Sequence, residues 1–387
     1  MGRPTTSARL LIVQPYIAEY RAPLYPLLKE QLHEQQIELS VAASTPTPTN
    51  GARLDDTGLA HVDVSLTDRT LTVAGRRLVR RRIRPVLAQF RPDLIIAEQA
   101  VKNLETIQLL IRGGSATAPR VALWGQGIDD DASDTGLVAT VRSTFTRRAD
   151  WFFAYTPQGR NHVIDHGFPA DRVTILHNTM DLRALRAKLE LITDGDVENF
   201  ARELSFEPQT AALFIGGVDE RKGIRFLLDV ATRIRTRIPT FTLLIGGAGD
   251  LTHEVVAAEQ AGAPVRYLGR LDGARKALAL RSAQVLTIPE WVGLVAVDSF
   301  AAGIPIVTTD FSTHSTEFEY LTPNVNAVIT AHDPQQYVDG VVALLHDRPR
   351  LRTLQSGAAA SSDGLAIEDM ADRFVAGIVA WRDAGRR

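Results

Sequence analysis

Cysteine is absent from the 387-residue chain, and methionine occurs only three times. Without thiols the chain can form no disulfide, thiolate zinc site, iron–sulfur cluster or cysteine nucleophile. It also has no apolar run near the ~18 residues that a membrane-spanning helix needs. Nor does one sign of charge dominate, because 43 Lys and Arg stand against 45 Asp and Glu. Total charge therefore favours neither nucleic acid nor an anionic membrane as the partner.

The remaining composition is that of a water-soluble globular chain, with 45% hydrophobic and 23% charged residues. The apolar run nearest the N-terminus, Leu10–Val13, is too short for the core of a signal peptide followed by a cleavage site. We therefore expect a cytoplasmic protein.

Strand-length runs rich in Val, Ile and Leu alternate with longer segments of helical periodicity. The runs fall into two sets, Arg9–Val13, Ile37–Ala42, Asp93–Ala97, Arg120–Trp124, Trp151–Tyr155 and Val173–Leu176, then Ala211–Ile215, Phe241–Ile245, Val265–Leu268, Gln284–Ile288, Ile304–Thr308 and Ala327–Thr330. Such runs, buried on both faces and separated by helices, indicate parallel α/β sheets. Two sets predict an α/β fold of two Rossmann-like domains.

The predicted boundaries divide the chain into four parts: a first domain over 1–181, a linker over 182–209, a second domain over 210–365 and a C-terminal helix over 366–387. The linker is predicted from its charged and polar composition. The last part has apolar residues at helical spacing, namely Ile367, Met370, Phe374, Ile378 and Trp381.

A strand, loop and helix in the second set carry candidate binding residues. Glu290 and Gly293 lie in the loop after the strand, and the helix Leu294–Ala302 begins there. The free N–H groups of a helix start suit a diphosphate. Asp298 lies inside this apolar helix, where a carboxylate is costly without a partner. A ribose or sugar diol would supply one; the alternatives are a solvated helix edge for Asp298 and a rim charge for Glu290.

Two glycine-rich turns follow other strands of the second set. The first contains Gly217, Arg221 and Lys222 before a segment of helical period, and predicts a phosphate site in which Lys222 neutralises a leaving diphosphate. The alternative is a solvated surface turn. The second contains Gly247 and by itself is weak evidence.

The segment Pro289–Pro305 resembles the E-x(7)-E signature of glycosyltransferase family 4, with Asp298 as the second acid. The resemblance implies that Glu290 binds the donor sugar and Asp298 the ribose, while Gly293 and Leu294 offer backbone amides to the diphosphate. Gly217 stands where the family has an arginine. Arg221 is the candidate to compensate for it.

Family resemblance also implies a GT-B fold, in which two domains face each other across a cleft and the last helix returns to the first domain. The implied reaction is retaining transfer of a sugar from a nucleotide diphosphate sugar to a hydroxyl group of a glycan, lipid-linked or small-molecule acceptor. A UDP-sugar is the first donor to expect. No additional cofactor, metal or nucleic acid is implied.

On the acceptor side, the pattern Tyr20-Arg21-Ala22-Pro23 resembles a subset of bacterial surface-polysaccharide transferases, which makes Tyr20 and Arg21 candidates. Arg21 could approach the donor phosphates or an anionic acceptor; the alternative is an ordinary helix-cap arginine. Gln126 stands where relatives often carry a histidine that touches the donor sugar. The D-x-D pattern at Asp129–Asp131 is interpreted as a solvated acidic loop rather than a metal site.

Arginines cluster over residues 76–84 and alternate with apolar residues whose spacing fits one helical face. They are candidates for contact with anionic lipid at the inner face of the membrane, or for holding a lipid-diphosphate acceptor. The simpler interpretation is a core-packing helix with a solvated face.

Two further functions remain open from sequence. One is another GT-B activity, such as a nucleotide-sugar epimerase or a phosphorylase. The other is a non-catalytic subunit that binds a nucleotide sugar, which the departures at Gly217 and Asp298 motivate.

Overall fold

The computed structural model describes residues 8–45, 57–73, 76–100, 102–112, 118–127 and 137–385. The chain forms two compact units. Unit 1 contains Met1–Met180 and Ile367–Arg387, and unit 2 contains Asp181–Ala366. Within the described ranges, no helix combines the length and apolar character that crossing a bilayer requires.

The strands in chain order are β1 (Ala8–Gln14), β2 (Ile37–Ser44), β3 (Val64–Leu66), β4 (Asp68–Val73), β5 (Arg76–Arg81), β6 (Leu94–Glu98), β7 (Arg120–Gly125), β8 (Trp151–Ala154), β9 (Val173–Ile175), β10 (Ala211–Ile215), β11 (Thr242–Gly246), β12 (Val265–Gly269), β13 (Val285–Thr287), β14 (Ile306–Thr309) and β15 (Ala327–Thr330). The helices are α1 (Leu24–Glu34), α2 (Arg84–Phe90), α3 (Leu104–Arg112), α4 (Leu137–Thr146), α5 (Pro157–Asp165), α6 (Leu182–Glu190), α7 (Asp194–Leu204), α8 (Ile224–Arg237), α9 (Thr252–Gln260), α10 (Gly273–Arg281), α11 (Val295–Ala302), α12 (Pro334–His346), α13 (Arg348–Ala360) and α14 (Ile367–Asp383).

Each unit is built on a parallel sheet. The strand order is β3-β2-β1-β6-β7-β8-β9 in unit 1 and β12-β11-β10-β13-β14-β15 in unit 2. Every apolar run singled out in the sequence lies on one of these strands, so the predicted α/β fold of two Rossmann-like domains is confirmed. The strand order reverses between β1 and β6 and between β10 and β13. Such a switch point leaves a crevice at the carboxyl ends of the strands.

The segment 182–209, predicted as a linker, contains α6 and α7, which belong to unit 2. Leu182, Leu185 and Leu189 form the buried face of α6. Helix α7 begins with a capping box between Thr193 and Asp196. The polar composition that suggested a linker is that of the solvent-facing sides of two short amphipathic helices.

The last helix, α14, completes the core of unit 1. It packs on α1, and its buried side chains join the same hydrophobic cluster as β1 and β7. The ring of Phe374 lies 4.9 Å from that of Trp124 and 4.6 Å from that of Phe153. Aromatic pairs at this spacing contribute about 0.5–1.5 kcal/mol beyond their buried area. We therefore expect unit 1 to depend on α14 for its stability.

The arginine-rich segment 76–84 is a strand followed by the start of a helix, which corrects the helical prediction. β5 pairs antiparallel with β4, and Pro85 occupies the first turn of α2. The burial has a period of two, because Val79 and Arg81 are buried while Arg80 is exposed. Arg81 forms a buried ion pair with Glu105, at 2.5 Å. That arginine therefore contributes to the interior of unit 1.

Candidate functional site

The candidate site of unit 2 lies at its switch point. The loops that follow β10 and β13 emerge from neighbouring strands at the carboxyl edge of the sheet. Lys222, at the end of the first loop, donates a hydrogen bond of 2.6 Å from Nζ to the carbonyl oxygen of Trp291 in the second. The fold thus brings together two motifs that the sequence singled out separately.

Glycines allow the backbones of this edge to approach each other closely. Gly247 has φ +142°, and a methyl group built on it would lie 1.8 Å from the carbonyl oxygen of Gly216. Gly223 has φ +68° and begins α8; a methyl group there would lie 3.0 Å from the carboxyl carbon of Glu290. These two positions require glycine. They place Glu290 beside the N-terminus of α8.

Several contacts hold the loop after β13 in shape. Trp291 adopts a left-handed conformation with φ +49°, which costs a non-glycine residue about 1–2 kcal/mol. The guanidinium of Arg221 lies 4.5 Å from the centroid of the Trp291 ring. The N–H of Val292 donates to Nδ1 of His314 at 3.0 Å. These contacts offset the strain of the loop.

His314 is held as a neutral ring. Its Nε2 lies 2.9 Å from the carbonyl oxygen of Thr309, which can only accept, so Nε2 carries the hydrogen and Nδ1 accepts from Val292. The ring stacks on Phe318 at 4.1 Å. Burial, assisted by the charge of Lys222, lowers the pKa of His314 below its usual value despite the opposing hydrogen bond to Thr309.

We expect His314→Gln to reduce the acid sensitivity of the fold. Because the folded-state pKa of His314 lies below the usual 6.5, the unfolded chain binds more protons just below that pH. The contribution of the neutral His314 ring to the free energy of unfolding is complete above the unfolded-state pKa. It is lost as the pH falls through the lower folded-state pKa. Glutamine keeps a donor and an acceptor but does not titrate. Thermal unfolding measured at about pH 7.5 and about pH 5.5 tests this.

The fall in melting temperature on acidification should be smaller for His314→Gln than for wild type. His162, whose pKa is also lowered by burial, is present in both proteins, so its contribution cancels in the comparison. An equal fall in the two proteins would rule out the titration of His314 as a determinant of stability.

Glu290 has a partner that the sequence analysis missed. Its Oε1 lies 2.9 Å from Nε2 of His332, and its side chain is 14% exposed. The ring of His332 stacks on Phe226 at 5.2 Å. His332 follows β15, so its place after a predicted strand was the available signal. The pair holds the carboxylate of Glu290 in one position at the mouth of the crevice.

Asp298 is buried in α11, as expected, but its partner is a lysine. Nζ of Lys276 in α10 lies 2.5 Å from the Asp298 carboxylate. The chain itself therefore supplies a counter-charge for this buried carboxylate, in addition to any ligand hydroxyl. Nothing in the sequence pattern pairs α10 with α11 at this point.

The N-terminus of α11 opens at the same edge. Leu294 caps the helix. The N–H groups of Ala296 and Val297 donate to the carbonyl oxygens of Gly293 and Leu294, whereas those of Gly293, Leu294 and Val295 have no acceptor among the described residues. Gly293 precedes it, and a methyl group built there would lie 4.0 Å from Oε2 of the buried Glu317. Ser315 donates to that oxygen at 2.6 Å. The predicted residues Glu290, Gly293 and Leu294 thus lie in the same loop as Trp291, which contacts Lys222.

The remaining candidates differ in setting. Gly217 lies in the loop after β10, where a methyl group would lie 2.6 Å from Oδ2 of Asp219. Tyr20, Arg21 and Gln126 belong to unit 1, where each follows the carboxyl end of β1 or β7. Asp129–Asp131 lies outside the described residues. Among the residues described, no group of three or more His, Asp or Glu side chains is arranged to hold a metal ion.

Both a family model and individual curated proteins match part of this chain. A family model described as Glycosyl transferases group 1 matches residues 209–347. Phosphatidyl-myo-inositol mannosyltransferase from Mycobacterium tuberculosis is 34% identical over 206 residues, which cover 49% of this chain and 53% of that protein. D-inositol 3-phosphate glycosyltransferase from Nocardia farcinica is 24% identical over 62% of this chain and 55% of that protein. The chain thus spans about half the length of the curated relatives it matches.

Among solved structures, the fold resembles that of Anabaena Alr3699/HepE in complex with UDP. The TM-score is 0.70 at 15% identity, and the match covers 96% of this chain and 99% of that one. A complex of the same protein with UDP-glucose matches with a TM-score of 0.69. The GT-B fold and the resemblance to family 4 glycosyltransferases that the sequence predicted are therefore confirmed.

Proposed function

Because residues 209–347 match the Glycosyl transferases group 1 family model, we propose that this protein transfers a sugar from a nucleotide diphosphate sugar to an acceptor hydroxyl. The observation that carries the proposal is the convergence of Lys222, Glu290 and the N-terminus of α11 at one edge of the unit 2 sheet. A cation, a carboxylate and free backbone amides are the groups that a sugar diphosphate requires.

In this proposal Lys222 and α11 bind the diphosphate. The ammonium of Lys222 has three N–H donors, of which one is directed at Trp291 in the structure. The amides near Gly293 and Leu294 add partial positive charge from the helix dipole. Their combined field stabilises the negative charge that develops on the leaving diphosphate.

Glu290 accepts hydrogen bonds from the donor sugar, and Asp298 from the ribose. His332 orients the Glu290 carboxylate, and Lys276 forms an ion pair with the Asp298 carboxylate inside an apolar helix. Arg221, stacked on Trp291, stiffens the loop between these groups.

Transfer would proceed with retention at the anomeric carbon. The bond between that carbon and the diphosphate oxygen breaks, and a bond to the acceptor oxygen forms on the same face. The departing diphosphate oxygen takes the acceptor's proton. The residues of unit 2 bind and stabilise the leaving group, and we propose no metal for the step.

The UDP and UDP-glucose complexes of the structural neighbour make a UDP-sugar the first donor to test. The names of the curated relatives point to inositol phosphate and phosphatidyl-myo-inositol as first acceptors. We propose a cytoplasmic location. The exposed Arg77, Arg80, Arg82 and Arg84 are available to anionic lipid headgroups.

We expect at least one nucleoside diphosphate or nucleotide sugar to raise the melting temperature. A ligand that binds only the folded state stabilises it by about 2.7 kcal/mol at 100 times its Kd. Thermal unfolding in the presence of UDP, GDP and their common sugar derivatives tests this. The shift should shrink in Lys222→Ala and persist in Arg233→Gln, a control on the exposed side of α8. A flat response over the whole panel would contradict the proposed function.

A further inference from the structure

We infer that Arg21 in unit 1 is the receptor for a phosphate group carried by the acceptor. This inference rests on the proposed function and adds the residue that binds the phosphate group of the acceptor. Arg21 ends the short helical turn after β1, at the carboxyl edge of the unit 1 sheet. The residue is half-buried, so part of its surface remains open to solvent.

Aromatic rings surround the guanidinium of Arg21. Its central carbon lies 4.6 Å from the centroid of Trp124 and 5.3 Å from those of Tyr20 and Tyr155. The ring of Trp124 also packs edge-to-face on Phe374 of α14, with 4.9 Å between the ring centroids. The cation therefore sits on a rigid aromatic platform, which attracts positive charge without neutralising it.

The hydrogen-bond partners of Arg21 are neutral. Its Nη2 donates to the hydroxyl of Tyr155 at 3.1 Å and to Oδ1 of Asn178 at 3.3 Å. Burial raises the pKa of Tyr155 to about 12, so its hydroxyl carries no charge at neutral pH. Nε of Arg21 is buried and has no hydrogen-bond partner in the described part of the chain. The site therefore holds one cation with unused donor capacity.

No carboxylate of the described residues lies within ion-pair distance of Arg21. The buried Arg81 offers a contrast, because it is paired with Glu105. Glu98, which lies near Tyr155, instead accepts a hydrogen bond from Asn103 at 2.8 Å. A partly buried cation without a counter-ion is unfavourable unless an anion arrives. The fold leaves that charge uncompensated at the edge where ligands of such sheets bind.

A phosphate group fits this arrangement better than an uncharged sugar does. A guanidinium offers parallel N–H donors that match phosphate oxygens. Tyr20 is the neighbour of Arg21 in sequence and is 36% exposed, so its side chain lies at the open side of the cluster. In unit 2, Lys222 and the N-terminus of α11 already serve the donor diphosphate. Arg21 is thus available to a second phosphate group, that of the acceptor.

Binding of matched charged and neutral probes to the full chain tests the inference. Isothermal titration calorimetry would compare D-inositol 3-phosphate with myo-inositol, and inorganic phosphate would serve as the minimal probe. We expect wild type to prefer the phosphorylated probe by about tenfold or more. Arg21→Gln should abolish the preference, whereas Arg21→Lys should keep part of it. Arg112→Gln, an exposed arginine at the end of α3, should behave as wild type.

If Arg21 had a purely structural role, Arg21→Gln would weaken the binding of both probes equally. The ratio of their affinities would then stay unchanged, which would overturn the inference. So would an undiminished preference in Arg21→Gln. Should that variant fail to fold, Tyr155→Phe, which removes only the hydroxyl that positions Arg21, should still reduce the preference. A wild type that binds neither the phosphorylated probe nor phosphate would also refute the inference.

Two further experiments are needed. One distinguishes a lipid headgroup from a soluble phosphate as the ligand of Arg21, and the other distinguishes this inference from the proposed function. Sedimentation with vesicles of phosphatidylinositol in phosphatidylcholine, against phosphatidylcholine alone, distinguishes a lipid headgroup from a soluble phosphomonoester. UDP titrated into the same samples reports the donor site. UDP binding that survives in Arg21→Gln supports an acceptor role, and loss of UDP binding in that variant with the probe preference intact overturns it. Failure of UDP to bind wild type counts instead against the proposed function.

Discussion

Lys222→Ala is expected to lower donor turnover by about 10²–10³-fold, the usual effect of removing one donor that stabilises a developing oxyanion. Its ammonium lies between the two loops of the crevice, 2.6 Å from the Trp291 carbonyl oxygen. The negative charge of the leaving diphosphate would develop beside it. Release of nucleoside diphosphate from a nucleotide sugar, followed with purified protein, measures the effect.

The fold should survive this change. Truncation of Lys222 removes its hydrogen bond to the Trp291 carbonyl oxygen at a half-buried position, and a hydrogen bond of a charged group contributes about 1.5–3 kcal/mol. Arg233→Gln removes a cation from the exposed side of α8, the helix that follows Lys222, and should leave turnover unchanged. Lys222→Arg should recover part of the rate, since it restores the charge with different geometry. A folded Lys222→Ala protein with wild-type turnover would disprove the role of this lysine.

Glu290→Gln should reduce kcat/KM for the donor by about 10–100-fold, because a hydrogen bond to a charged acceptor contributes about 1.5–3 kcal/mol. The carboxylate lies at the crevice, next to Gly223, and is held by His332. Glutamine retains the shape but loses the charge and can orient only one oxygen as an acceptor. Steady-state kinetics with donor varied measures the loss.

The same change should cost little stability. The side chain of His332 is 37% exposed, so water can replace its lost partner. His332→Gln is the companion variant, expected to raise KM less than Glu290→Gln does because it alters only the orientation of the carboxylate. Equal kinetics for Glu290→Gln and wild type would show that Glu290 does not contact the donor.

Local sequence patterns predicted the sheets because β1, β7 and β10 are continuous apolar runs whose burial needs no long-range information. The rule that ligands bind at the carboxyl ends of strands then placed Glu290 and Lys222 at one edge. Neither step required knowledge of the tertiary contacts.

What the sequence did not predict depends on contacts between distant segments. The burial of Arg81 is not predictable from the local sequence, because its ion pair with Glu105 forms only when the β4–β5 hairpin packs on α3. Lys276 was missed because it meets Asp298 across two helices. The period of two in β5 is obscured in the sequence because four of its six residues are arginines. Such pairings arise from packing rather than from local propensity.

The most direct test of the proposed activity is a time course of nucleoside diphosphate release from a nucleotide sugar. The nucleotide sugar that gives the largest thermal shift would be incubated with wild type and with Lys222→Ala, and ³¹P NMR would record the nucleoside diphosphate formed, with and without phosphatidylinositol or inositol phosphate. We predict release of nucleoside diphosphate by wild type, acceleration by an acceptor, and about 100-fold slower release by the variant. A donor that binds wild type yet stays intact, or is converted to an epimer without release of nucleoside diphosphate, would contradict the assignment as a transferase.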